Sequence, residues 1–245
     1  MKRLAMLIGN TNGLPGIHKD LEDFERFLCS NSGGGWSPNL DIVKAYNVSL
    51  EELRKSFAEV KNAKLDYFIF YYSGHGGLDR TSGETILELN KLGECIDETE
   101  ISNLAARQLN IFDCCRALPE DIRKSFVEDS AQFSADSFTA KSRDIYNARI
   151  MQAYKQQISL YACSKRECAN ATGEGSIYTQ NLIKAAKSNC SAEVLVLDAH
   201  KTACAPTVYR ASKLGEKQNP DYKANPFIPK EKQLILSIST FHLQG

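Results

Sequence analysis

The 245-residue sequence predicts an α/β fold, a mostly parallel sheet of about six strands with helices on both faces. Two observations carry that expectation. Strand-like runs alternate with helix-period segments over short connections, the pattern of parallel strands joined by crossovers. The strongest runs, Leu4–Ile8 and Tyr67–Tyr72, are apolar without alternation, as strands covered on both faces require.

Taken in order, Leu4–Ile8 is a first strand stopped by Gly9, and Leu21, Phe24 and Leu28 mark the helix after it. A Ser32–Gly35 loop leads to a strand over Ile42–Tyr46. Ser49 then caps a second helix, with Glu52 three residues on completing a capping box and Leu50, Leu53, Phe57 and Val60 as its apolar stripe. Tyr67–Tyr72 ends at Ser73-Gly74-His75-Gly76-Gly77. A hairpin (Thr85–Leu89, Glu94–Ile96) precedes a helix capped by Asp97, with Ile101 and Leu104 inward. Leu109–Phe112 ends at Asp113-Cys114-Cys115-Arg116. From Ala117 to Gln157 the pattern weakens, although Asp144–Tyr154 reads as helical; a stretch this long without a clear strand tends to be functional or mobile. Pattern returns with strand Ile158–Ala162, helices over Ser176–Ala186 and Ala192 to about Cys204, and a last strand over Leu234–Ile238. Residues 213–232 are charged and proline-bearing, hence a surface loop.

Thirty basic and thirty acidic residues give zero net charge, which argues against a nucleic-acid binder. No apolar run approaches the ~20 residues that span a bilayer, and the apolar stretch after Lys2-Arg3 is too short for a secretion signal. The eight cysteines are then expected as reduced thiols in a cytoplasmic, soluble protein. No phosphate-binding G-x-x-x-x-G-K-[ST] loop is present.

In parallel sheets, functional groups collect beyond the carboxyl ends of the strands. If the two strands ending at His75 and Cys115 are neighbours, both side chains emerge at one rim. A thiol near pKa 8.5 needs a base to become a nucleophile, and an imidazole can accept its proton and later return one to a leaving amine. The backbone N–H groups of Gly76 and Cys115 are candidates for the oxyanion of the intermediate, since glycines let the chain approach closely.

Tyr72-Ser73-Gly74-His75-Gly76 and Asp113-Cys114-Cys115-Arg116 resemble the histidine and cysteine motifs of caspase-like cysteine peptidases, metacaspases and the paracaspase in particular. Leu7-Ile8-Gly9-Asn10 with Asp20, and Leu160-Tyr161-Ala162-Cys163 followed by Gly175-Ser176-Ile177-Tyr178, extend the resemblance over nearly the whole chain. It implies a three-layer caspase-like sandwich as one domain, 1–245. Residues 1–116 would be a large-subunit-like half, 117–157 a linker cut or ordered on activation, and 158–245 a small-subunit-like half. It implies a thiol protease with Cys115 as nucleophile, His75 as base and a thioester acyl-enzyme, the substrate being a protein.

In the metacaspases and the paracaspase an aspartate at the position of Asp113 selects arginine or lysine. Asp20 matches a second acid of that pocket, with Glu167 and Asn170 further candidates from the small half. Arg123, Lys124, Lys141, Arg143 and Arg149 in the linker would suit such a pocket, so a zymogen, with or without an upstream activator, is expected. Standalone bacterial relatives act in antiviral defence or cell-death modules. Calcium, which some metacaspases need, has an acidic stretch available at Asp97-Glu98-Thr99-Glu100, although acids in a first helical turn also suit the helix dipole; otherwise no cofactor is expected. Two rival readings are a zinc site from Cys163, Cys168, His200 and Cys204, for which packing is the simpler account, and a catalytically silent scaffold on the same fold.

Overall fold

The computed structural model describes residues 1–118, 126–127, 140–188 and 192–239. In chain order the elements are β1 (Arg3–Gly9), α1 (Ile17–Cys29), β2 (Ile42–Tyr46), α2 (Leu50–Ala63), β3 (Tyr67–Ser73), β4 (Gly76–Leu78), β5 (Thr85–Glu88), β6 (Cys95–Asp97), β7 (Arg107–Asp113) and β8 (Phe126–Val127). There follow α3 (Ala140–Gln152), β9 (Gln156–Tyr161), β10 (Ala171–Thr172), β11 (Gly175–Ser176), α4 (Ile177–Lys187), β12 (Glu193–Leu195), α5 (Val196–Lys213), β13 (Asp221–Lys223) and β14 (Ile235–Ile238).

The central sheet runs β13-β9-β7-β3-β1-β2, parallel except for β13, which pairs antiparallel with β9. Strand β3 lies between β1 and β7 and is buried along its whole length. Its alternate residues serve two cores. Tyr67, Ile69 and Tyr71 face a cluster that takes in α1, α3, α4 and α5. Phe68, Phe70 and Tyr72 face a second cluster with Leu53, Phe57 and Val60 of α2 and Leu87 of the β4-β5-β6 sheet. This is the expected three-layer arrangement. Ser49 caps α2 through the anticipated box with Glu52.

Several elements differ from the sequence reading. The sixth strand of the central sheet is β13, inside the 213–232 stretch expected to be loop. Leu234–Ile238 instead pairs with β12 in a separate two-stranded sheet. The helix expected from Ala192 starts only at Val196, because Glu193–Leu195 is β12, and it continues through Pro206 to Lys213. The helix capped by Asp97 is a single 3-10 turn over Glu98–Ile101.

The 117–157 segment is not uniformly a linker, because α3 buries Ser142, Tyr146 and Ile150 in the core. Arg143 forks onto both carboxylate oxygens of Asp41 (2.5 and 3.0 Å) and Arg149 pairs with Glu193 at 2.7 Å. Lys141 lies in the same helix, whereas Arg123 and Lys124 lie outside the described residues.

Candidate active site

Register brings the two motifs together. Ser73 of β3 is the partner of Asp113 of β7, so His75 and Cys115, each two residues further along, leave adjacent strand ends side by side. The Gly74 N–H donates to the Asp113 carbonyl at 3.2 Å. Gly76 then lies flat against the cysteine motif: a Cβ there would stand 2.7 Å from the Cys114 sulfur and 2.9 Å from the Ile86 carbonyl oxygen, too close for any side chain. Cys114 is thereby identified as a buried packing residue, and its partly exposed neighbour Cys115 is the one at the rim.

The imidazole is held by backbone. His75 Nε2 meets the Asn12 carbonyl oxygen at 2.6 Å. A carbonyl only accepts, so Nε2 carries a proton, and Nδ1 is the ring nitrogen left to act as an acceptor. Asn10 sets that carbonyl in place, its Oδ1 accepting from Asn12 N–H at 3.0 Å and its Nδ2 donating to the Glu88 carbonyl at 2.7 Å. The Tyr72 hydroxyl lies between the carbonyls of His75, at 2.6 Å, and Glu88.

Glu88 N–H bonds the His75 carbonyl at 3.1 Å, and Gly76 opposes Leu87. Antiparallel pairs alternate between bonded and non-bonded positions, so Gly76 N–H turns away from β5. Leu78 N–H, two residues on, points the same way and reaches the Ala117 carbonyl at 3.2 Å, just past Cys115.

Cys115 Sγ lies 3.9 Å from the Ala169 carbonyl; the neighbouring Cys168 thiol, followed by burial, pushes the Cys115 thiol well above the ordinary range. Among the described residues Cys115 and His75 do not hydrogen-bond each other. The chain after Cys115 is anchored by Arg116, whose buried guanidinium donates to Thr85 Oγ1 (3.0 Å) and the Cys163 carbonyl (3.1 Å), meets Asp221 of β13 at 3.3 Å and stacks 3.9 Å over Tyr161.

Below this rim the structure brings Asp20 and Asp113 together at the N-terminus of α4. Asp113 Oδ2 accepts from Ser176 Oγ, Thr179 N–H (3.2 Å) and Thr179 Oγ1 (2.6 Å). Asp20 accepts from Ser176 N–H at 2.6 Å and from Ser73 Oγ at 2.7 Å. Ser176 occupies the cap position of α4 yet gives its hydroxyl to Asp113, so the helix start is capped from β7 instead. Gly175 makes the approach to Asp20 possible, since a Cβ there would fall 2.3 Å from Asp20 Oδ1 and the residue sits at φ 100°.

Both carboxyls are pushed upward, Asp20 by burial and then by the charge of Asp113, and Asp113 by burial. The groups acting on them are hydroxyls, amides and other carboxyls, and no basic side chain of the described residues is among them. Asp113 Oδ1 accepts no hydrogen bond among the described residues.

The other two pocket candidates go elsewhere. Glu167 binds Asn219 through its N–H (2.7 Å) and Nδ2 (2.8 Å) and pairs with Lys217 at 3.2 Å; these donors hold its carboxyl below the usual range against the cost of burial. Asn170 bonds Gln218 through both its N–H and Nδ2. They tie down residues 217–219 rather than join Asp20 and Asp113.

The acids at 97–100 do not converge on one point. Asp97 caps Thr99, Glu100 takes Arg54, and Glu98 turns inward with a carboxyl pushed up to about 7 by burial and a hydrogen bond with Glu84. The zinc candidates also divide: Cys163 donates to the carbonyls of Cys114 and Glu167, while His200 bonds Tyr178 and Cys204. No group of three or more such ligands forms among the described residues, nor is any described helix long and apolar enough to cross a membrane.

Sequence reasoning missed the Asn12 carbonyl, which no side chain announces, and the Ser73, Ser176 and Thr179 donors. The Ser176-x-x-Thr179 spacing at a helix start was their only signal.

A family model described as the caspase domain, a peptidase family, matches residues 2–230. A solved protein of Geobacter sulfurreducens is similar in structure, with a TM-score of 0.61, 16% identity and 98% of each chain covered. So is caspase-1 of Spodoptera frugiperda, with a TM-score of 0.59, 12% identity, and 91% of this chain and 86% of that one covered. No curated protein matches the chain by sequence.

Proposed function

Because this chain belongs to the caspase-domain peptidase family, we propose that it is a cysteine endopeptidase that cuts proteins after arginine or lysine. The observation that carries the specificity is the pair of buried carboxyls, Asp20 and Asp113, one strand-end below Cys115 and without a basic partner among the described residues. Two such groups cost much to desolvate together, and a guanidinium or ammonium from the substrate relieves both at once.

Chemistry would follow from the tautomer that Asn12 imposes. With Nε2 tied to a carbonyl, Nδ1 accepts the Cys115 proton as the sulfur attacks the scissile carbonyl, and then returns it to the leaving amine. The Gly76 and Cys115 amides would receive the oxyanion. Water releases the acyl group from the thioester. Since the surroundings push the Cys115 thiol upward, proton transfer to His75 would accompany attack rather than precede it.

If the enzyme processes itself, Arg123 and Lys124 are the expected positions, because Arg143 and Arg149 are ion-paired within α3. A reducing, cytoplasmic setting fits the seven described cysteines, none of which is in a disulfide. A place in a defence or cell-death module rests on the resemblance to bacterial relatives alone.

The test is a fluorogenic peptide panel with Arg, Lys, Asp or Ala at the cleavage position, run on wild type, Cys115→Ala and Cys114→Ala. Turnover confined to Arg and Lys peptides, and lost with Cys115→Ala, is expected. Preference for Asp, or activity that survives Cys115→Ala but not Cys114→Ala, would overturn the assignment. Mass spectrometry of wild type and Cys115→Ala after incubation tests self-processing.

A further inference from the structure

We propose that Cys168 is a resolving cysteine for Cys115: a hydroperoxide converts the two thiols to a Cys115–Cys168 disulfide, which masks the nucleophile until a thiol reductant restores it. The effect on turnover rests on reading Cys115 as the nucleophile, whereas the bond itself rests on geometry alone.

The backbone opposes these two residues. After β9 the chain turns back at Arg166, which sits at φ 69°, and runs against the segment leaving β7. Arg116 N–H donates to the Glu167 carbonyl at 2.8 Å and Arg166 N–H to the Arg116 carbonyl at 2.6 Å. One step back on the first segment and one forward on the second places Cys115 across from Cys168. Residues opposed beside a bonded pair have Cα atoms about 4.5 Å apart, inside the range of roughly 4.4–6.8 Å that a disulfide spans. The Cys115 sulfur already lies 3.9 Å from the carbonyl of Ala169, the residue after Cys168.

Access selects the same pair. Of the four cysteines gathered here, Cys114 and Cys163 are buried, whereas Cys115 and Cys168 are partly exposed. Cys168 also lines an open cavity of about 550 Å³ together with Lys165, Arg166 and Lys217, against Glu167 and Glu216.

The chemistry balances. One thiolate sulfur attacks a peroxide oxygen, the O–O bond breaks, and water leaves after protonation, giving a sulfenic acid. The second thiol attacks that sulfur, the S–O bond breaks and a second water leaves. Two thiols and one hydrogen peroxide become one disulfide and two waters.

The test treats the full chain with hydrogen peroxide, blocks remaining thiols, maps peptides by mass, and follows turnover of an Arg peptide before and after dithiothreitol. Expected for wild type is a linked Cys115–Cys168 peptide two hydrogens lighter than the reduced pair, with turnover down about tenfold or more and restored by reductant. In Cys168→Ser, and in Cys168→Ala as a second variant should serine disturb folding, the linked peptide is absent. The loss of turnover then becomes permanent, because an unresolved sulfenic acid proceeds to sulfinic acid. Absence of the linked peptide, pairing of Cys115 with Cys114 or Cys163 instead, or full recovery of the Cys168 variants would overturn the proposal. A linked peptide in a protein that cleaves nothing would sustain the disulfide and refute only the peptidase reading.

Discussion

Replacing Asp113 with asparagine separates charge from shape at the candidate specificity pocket. Asparagine caps a helix about as well as aspartate, so Asp113→Asn keeps an acceptor for the Thr179 N–H and the Ser176 and Thr179 hydroxyls. What goes is one of two ionisable carboxyls buried side by side. Folding should change little, within about 1 kcal/mol at neutral pH, as lost attraction to the α4 N-terminus offsets relief of repulsion with Asp20.

The pH dependence should change more. Both carboxyls are raised in the fold, so the folded chain holds protons that the unfolded chain releases near the ordinary value of 3.8. The resulting stability is complete below that pH and is lost as pH rises toward the folded values. Urea unfolding between pH 4 and 7 should therefore show a flatter slope for Asp113→Asn than for wild type.

Catalysis should fall much further than stability. Removing one partner of a buried ion pair costs about 3–5 kcal/mol, which is about 10²- to 10⁴-fold in kcat/KM on an Arg peptide. Alkylation of Cys115 by a small uncharged reagent should not change. An Arg-peptide kcat/KM within about threefold of wild type would reduce Asp113 to a helix cap and remove the basis for the proposed specificity.

Three other outcomes follow from the same geometry. Gly76→Ala forces a Cβ against Cys114 and the Ile86 carbonyl; it should lower kcat about 100-fold by displacing His75 from Cys115, while Arg-peptide KM holds, as steady-state kinetics would show. Glu98→Gln should remove a stability loss of about 1–3 kcal/mol between pH 5 and 8, because Glu98, at about 7 in the fold, holds a proton that the unfolded chain gives up near 4.5; paired urea melts at the two pH values measure it. Alkylation of Cys115 by iodoacetamide should lag that of an ordinary cysteine at pH 8.5, and Cys168→Ser should accelerate it, since the neighbouring Cys168 thiol is the main cause of the raised thiol.

The parts of this fold that were readable from sequence are those where one residue type settles the environment. Tyr67–Ser73 and Arg107–Asp113 are apolar runs stopped by polar motifs, and both are central strands carrying the motifs at their ends. Strand β13 was not readable: Asp221-Tyr222-Lys223 is three residues, two of them exposed, and pairing to β9 rather than composition makes it a strand. Glu193–Leu195 reads as the start of a helix until β14 is seen beside it. In α3 the core-facing positions Ser142, Tyr146 and Ile150 are correctly spaced, but a serine among them weakens the apolar stripe. Asp20 and Asp113 meet only because α1 begins and β7 ends at the N-terminus of α4, a contact that family resemblance suggested and no local pattern encodes. Glu167 and Asn170 were further candidates for that pocket from the small half, and their side chains pair with Lys217, Gln218 and Asn219.

The acceptor that fixes the His75 tautomer is a peptide oxygen. Every amino acid carries one, so no exchange at position 12 can delete it; only a shift of the main chain can. Evolution is thus free to vary that side chain, and alanine scanning aimed at a third member beside the imidazole and sulfur would return silence at Asn12 while its neighbour Asn10, which steers the loop, registers the loss.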